Sequence, residues 1–124
     1  KSICRKAFSS SFLGKKIDIV IDRPIGSVHP KFKDIIYNIN YGYIPGVFSD
    51  DGEEFDVYLM GINHPIKKFS NARVIAVIYR LNDIEDKIVA APDDLLFSKE
   101  EIEAAVNFQE KYFIIEIETL KTSI

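Results

Sequence analysis

Five carboxylates fall within seven residues in the run Asp50, Asp51, Gly52, Glu53, Glu54, Phe55, Asp56. Like charges a few ångströms apart repel even near a surface unless water, salt or bound cations screen them. A second acidic cluster, NDIED at residues 82–86, runs directly into Lys87. Neither cluster contains cysteine, so the donors on offer are hard oxygens, which suit Mg²⁺ or Mn²⁺ ahead of Ca²⁺. The first cluster is not an EF-hand, because it lacks alternating ligands before its glycine and the glutamate that ends such a loop. Two readings of it stand side by side, a divalent-metal site and a solvated acidic turn, since charge runs are usually exposed. Arg23, Lys31, Lys33, Arg80 and Lys87 lie near strand ends that could border the carboxylates. Cations beside a metal cluster are what a substrate with several phosphate charges requires.

The elements that must hold these groups are mostly short strands. Residues 16–22 alternate, with Ile17, Ile19 and Ile21 on one face, the period of a half-buried strand. Residues 23–30 form a loop with two prolines and a glycine, and Lys31 and Lys33 follow it. Residues 35–44 (IIYNINYGYI) are β-branched and aromatic and read as a strand, in which Gly42 permits close approach of another chain or a ligand. Pro45 and Gly46 mark a turn, residues 49–54 a second, acidic turn, and residues 55–60 the next strand. Residues 73–81 are the clearest apolar strand, and residues 87–91 another. Ser98 and Glu101 have the spacing of a capping box that starts a helix. That helix either runs on towards Leu120, burying Ile102, Ala105, Val106, Tyr112 and Phe113, or gives way to a strand in FIIEIETL. The pattern predicts a mainly β (α+β) fold, a small OB-like five-stranded β-barrel with a packed C-terminal helix, with an α+β sandwich as the competing architecture.

The whole chain sets bounds on function. Its 124 residues fit a single domain over 1–124, in which residues 1–14 carry no clear period and read as an N-terminal arm. A composition 47% hydrophobic and 28% charged is that of an ordinary globular protein. A formal charge of −3 argues against a surface built mainly for nucleic-acid backbone. No apolar run is long enough to span a bilayer, and the first residues lack the apolar core of a signal peptide. Cys4 is the only cysteine, which rules out an intramolecular disulfide and suits a reducing cytoplasm.

The segment NYGYI at residues 40–44, followed by DGEEFDV at 51–57, resembles the signature of the soluble, family I inorganic pyrophosphatases. Asp51, Gly52, Glu54, Phe55 and Asp56 match it, while Glu53 stands where the family usually has aspartate. EDKIVAAP at residues 85–92 resembles the family's second motif, an acidic residue, a spacer, a lysine and an apolar strand ending in proline. The resemblance implies that Asp51 and Asp56 bind catalytic metal, with Asp56 bridging two ions. It implies that Glu53 orients or deprotonates the attacking water, that Glu85 and Asp83 are further metal ligands, and that Asp22 lies near a first-strand acidic ligand. Tyr41, Tyr37, Lys87 and Tyr112 correspond to groups that hold phosphate oxygens, with Tyr41 nearest the chemistry. Between the first strand and the tyrosines the chain is shorter than typical members, so Arg23 and Lys31, with Lys33 or His29, are expected to stand in for cations of a curtailed hairpin. Phe113 stands where the family usually has lysine. The implied activity is Mg²⁺-dependent hydrolysis of pyrophosphate to two phosphates, Mn²⁺ being the second choice, by a cytoplasmic homo-oligomer. The alternatives are hydrolysis of another small phosphoanhydride and a non-catalytic OB-like binding module.

Overall fold

Isoleucines at every second position bury one face of the first strand: Ile17, Ile19 and Ile21 are inside, while Lys16, Asp18 and Asp22 face water. The computed structural model describes residues 3–49 and 51–120. Asp50 of the acidic run and the side chain of Cys4 lie outside that description. In chain order the elements are α1 (Ile3–Ser10), β1 (Lys16–Arg23), β2 (Asn40–Phe48), β3 (Glu54–Leu59), β4 (Lys68–Arg80), β5 (Asp86–Ala91), α2 (Lys99–Glu110) and β6 (Ile115–Thr119).

Strands β1, β2, β3, β5 and β4 pair in that order, and the first half of β4 returns to β1, closing a five-stranded barrel. Every pairing is antiparallel except β3 with β5, so the barrel is mixed. The second half of β4 stays paired with β5 and carries β6 on its other edge, where the first half carries β1. Closure removes the unpaired edges that an open sheet would expose. Gly42 lies at the tightest crossing, where any Cβ would sit 1.8 Å from the Val20 carbonyl oxygen. Only glycine fits there.

Two apolar layers follow from the alternation. Ile19, Phe55, Val57, Leu59, Val74, Val77, Ile88 and Ala90 fill the barrel. Tyr58, Ile78, Val89 and Ala91 point outwards and are covered by Ile102 and Val106 of α2. Strands β4 and β5 are therefore buried on both faces, which explains their nearly continuous apolar sequence. Helix α2 starts at Ser98, whose side chain accepts from the Glu101 N–H while Glu101 accepts from the Ser98 N–H, completing the capping box.

Three local expectations are revised, and the choice left open for FIIEIETL falls to the strand. The strand expected over 35–44 starts only at Asn40, residues before it being tied by a single bridge between Val28 and Ile36. Pro45 and Gly46 lie inside β2 rather than in a turn, because the register shifts between Tyr43 and Phe48 and Gly46 has φ +76°. Helix α2 stops at Glu110, and Ile115–Thr119 form a strand. The expected arm contains helix α1, which is docked: Ser9 Oγ and Arg5 Nη2 donate to the two oxygens of buried Asp86, and Phe12 enters the barrel core. Among the described residues, no helix is long and apolar enough to cross a membrane.

Candidate active site

The outward face of β3 and β5 carries the charged groups. Asp56 stands between the inward-facing Phe55 and Val57, and the parallel pairing of Val57 with Ile88 sets it beside Lys87. Lys87 Nζ donates to Asp56 Oδ2 at 2.5 Å and to Glu85 Oε2 at 2.9 Å, and its side chain is almost wholly buried. Arg80 ends β4 and faces the same place. Its Nε and Nη2 grip both oxygens of Glu110 at 2.9 and 2.6 Å, its Nη1 donates to Asp83 Oδ2 at 3.2 Å, and Glu85 lies 3.7 Å from Nη1. The guanidinium also lies 3.7 Å over the Phe113 ring, an arrangement that favours a delocalised cation.

Behind these groups runs a buried polar chain. Arg23 Nη1 donates to Tyr37 Oη, Tyr37 Oη to Gln109 Oε1, Gln109 Nε2 to Tyr58 Oη, and Tyr58 Oη to Glu110 Oε2. Among the described residues, no buried side-chain nitrogen or oxygen lacks a partner. Gln109 and Glu110 were not picked out by motif. Their signal was helical period, since Ile102, Val106, Gln109 and Glu110 share the inner face of α2.

In front of this layer opens a cavity of about 750 Å³. Its walls include eight of the residues singled out in the sequence: Arg23, Lys31, Tyr41, Asp56, Asp83, Glu85, Lys87 and Tyr112. Five others do not line it, the exposed Lys33 among them. Tyr37 is fully buried behind Arg23, Asp22 faces outwards from β1, Glu53 is exposed in the acidic turn, and Asp51 reaches the site through Glu85 and the Lys87 charge. The Asp51 and Glu85 carboxyl groups meet in hydrogen-bond contact, so the two acidic clusters come together in space.

The surroundings tune these groups. Burial raises the Glu85 carboxyl above the usual range; the Lys87 ammonium opposes that shift and contact with Asp51 adds to it. For Asp51, burial is outweighed by hydrogen bonds with Glu85, Ser49 and the Glu53 N–H, which hold its carboxyl low. Burial, then the Asp56 charge, pushes the Tyr41 phenol well above its ordinary value, so it remains a neutral hydroxyl. Burial also raises Asp22.

The donor set fits a hard divalent cation: all its ligating atoms are carboxylate oxygens, and two carboxyl groups in contact call for positive charge between them. Among the described residues, no three His, Cys, Asp or Glu side chains converge closely enough to hold one ion. The place between Asp56 and Glu85 is taken by the Lys87 ammonium.

Comparison with known proteins bears on the same segments. The family model for inorganic pyrophosphatase matches residues 15–119. An inorganic pyrophosphatase of Neisseria meningitidis is 42% identical over 59 residues, covering 44% of this chain and 33% of that protein, and one of Haemophilus influenzae is 41% identical over the same length. The aligned part thus spans about a third of the length of these curated relatives. In fold, the chain is similar to the inorganic pyrophosphatase structures from Ehrlichia chaffeensis (TM-score 0.66, 21% identity, 87% of this chain and 88% of that one) and Neisseria gonorrhoeae (TM-score 0.62, 24% identity, 80% and 74%). A closed mixed barrel, a carboxylate–lysine cluster on its outer wall and a family match running from β1 to β6 make this chain a member of the inorganic pyrophosphatase family.

Proposed function

We propose that this protein hydrolyses inorganic pyrophosphate to two phosphates with the help of divalent metal, Mg²⁺ first and Mn²⁺ second. The observation that carries this reading is the joint presence of Asp56, Glu85, Asp83, Lys87 and Arg80 in one cavity, with Asp51 in contact with Glu85. The wall of that cavity holds four cations, Arg23, Lys31, Arg80 and Lys87, against four carboxylates, Asp34, Asp56, Asp83 and Glu85, so its charges cancel. A neutral wall does not attract a multiply charged anion without added positive charge.

Asp51, Asp56, Asp83 and Glu85 would hold the metal, with Asp22 as an outer acidic group. Divalent ions in such a site lower the pKa of water towards neutrality and neutralise charge on the transferred phosphoryl group. Arg23, Lys31, Lys87 and Tyr112 would bind and orient phosphate oxygens, Tyr37 would act from behind through its hydrogen bond with Arg23, and Tyr41 would supply a neutral hydroxyl donor beside Asp56. Glu53 would act on the attacking water, which requires the exposed turn carrying it to close over the site. The single cysteine supports a reducing, cytoplasmic setting, and a homo-oligomer is the assembly that goes with this reading.

Phosphate release from pyrophosphate, measured with Mg²⁺ or Mn²⁺, tests the proposal beside Asp56→Asn. The expected result is metal-dependent release that the variant lowers by at least about 100-fold, the scale on which enzyme carboxylates contribute. Equal rates in both proteins would overturn it.

A further inference from the structure

The cavity is larger and more aromatic than two linked phosphates need. Clefts of roughly 300–1,000 Å³ hold entire drug-sized ligands, and this one is about 750 Å³. Its lining has two characters. Asp56, Asp83, Glu85, Arg80 and Lys87 form the charged part, whereas Phe32, Tyr112 and Phe113 are contributed by two other segments, the loop after β1 and the connection between α2 and β6.

The aromatic part is not spent on internal packing. Phe32 is 60% exposed and Tyr112 56% exposed, although both border the cavity. Phe32 is steadied by the His29 ring, 5.1 Å away, whose Nδ1 accepts from the N–H groups of Lys31 and Phe32. Phe113, by contrast, is already covered by Arg80. Arg23 and Lys31, the cations of the lining in no ion pair among the described residues, border the same cavity and can take an additional phosphate oxygen. An exposed aromatic surface beside two cations that are in no ion pair among the described residues favours a ligand that joins phosphate to a planar ring.

We infer that the cleft takes, besides pyrophosphate, phosphoanhydrides that carry an aromatic organic group, a nucleoside diphosphate being the simplest. This rests on the proposed hydrolytic reading. The diphosphate lies at the charged end and the ring against Phe32 and Tyr112. The oxygen of a water molecule bonds to the terminal phosphorus, the bond from that phosphorus to the bridging oxygen breaks, and the electron pair leaves on the nucleoside monophosphate. The products are phosphate and the monophosphate, one proton passes to solvent, and nothing is oxidised or reduced.

The test compares ADP with pyrophosphate, by phosphate release with Mg²⁺ and by calorimetric binding of ADP to Asp56→Asn, each in Phe32 and Phe32→Ala backgrounds. ADP is expected to be hydrolysed and to compete with pyrophosphate. Phe32→Ala should lower kcat/KM for ADP about tenfold, the loss expected for one base–aromatic stack, and by a smaller factor for pyrophosphate. Pyrophosphate turnover with ADP neither hydrolysed nor bound would overturn the inference and leave the hydrolytic reading intact. So would ADP turnover or binding that Phe32→Ala leaves unaltered. If neither compound is hydrolysed, the hydrolytic reading fails, and ADP binding alone then decides the cleft's preference: binding weakened by Phe32→Ala supports it, and absence of binding overturns it.

Discussion

One ammonium, that of Lys87, serves two carboxylates at once, and among the described residues no buried side-chain nitrogen or oxygen lacks a hydrogen-bond partner. An ion bridging Asp56 and Glu85 would have to displace it, so metal binding and the position of Lys87 are linked. His29, which lines the same cavity, shows a simpler linkage. Its Nδ1 accepts two backbone hydrogen bonds and must stay unprotonated to do so. Burial, then the charges of Arg23 and Lys31, hold its pKa below the ordinary imidazole value. Phe32 and Tyr37, the other rings beside it, carry no charge to oppose them. The unfolded chain, titrating near 6.5, therefore binds a proton before the folded one does. Stability contributed by His29 is present above about pH 6.5 and is lost as pH falls through the lower folded value. Urea midpoints between pH 7.5 and 5.5 should fall more steeply for the native protein than for His29→Asn, whose amide oxygen accepts the same N–H groups without titrating. The difference should stay below the ~1.4 kcal/mol per pH unit of a fully linked proton, and parallel slopes would exclude this role.

Strands were legible in the sequence where their period was local, and illegible where tertiary contact set their course. Ile17, Ile19 and Ile21 announce β1 because the alternation is complete within seven residues. The bend at Pro45 and Gly46 looks like a turn in sequence, and only pairing of Phe48 with Glu54 shows that the strand continues past it. Helix α1 was unreadable for the same reason, since its fixed points, Asp86 and the Phe55 ring beside Phe8, lie far along the chain. The local motifs of the site, from Tyr41 to Asp56 and from Glu85 to Lys87, could be found in sequence, whereas Gln109 and Glu110 are polar residues that a helical pattern ordinarily leaves in water. Gly42 sits where both kinds of information meet. It was marked as a point of close approach, and the Val20 carbonyl oxygen 1.8 Å from any added Cβ supplies the partner. Gly42→Ala must push β1 and β2 apart at a barrel crossing built of backbone, which cannot rotate away as a side chain would. We expect a loss of about 2–3 kcal/mol in unfolding free energy, the upper range of overpacking, read from denaturant midpoints at constant m. A change within about 0.5 kcal/mol, as at an ordinary surface position, would mean that the strands separate readily there.

Across the molecule, the barrel and helix α2 are joined by an ion pair as well as by an apolar layer. Glu110 is 2% exposed and accepts from both Arg80 and Tyr58, while Arg80 passes the contact on to Asp83 and Glu85 at the cavity. The helix end is thereby tied to the groups proposed to hold metal. Burying a charge pair adds little net stability by itself, yet removing one partner strands the other in a poorly solvated place. Glu110→Gln should therefore lower unfolding free energy by about 3–5 kcal/mol, the penalty for a broken buried pair. Replacing both partners, Arg80→Met with Glu110→Leu, should recover much of that loss because neither charge of the buried pair remains, and Asp83 and Glu85, which also lose the guanidinium, are partly exposed to water. Activity should not recover with it: the double variant has lost the guanidinium that positions Asp83 and Glu85, so pyrophosphate turnover stays low while the melting temperature rises. Recovery of both together would show that Arg80 serves only the packing of α2, and a single variant as stable as the native protein would show that water reaches Glu110.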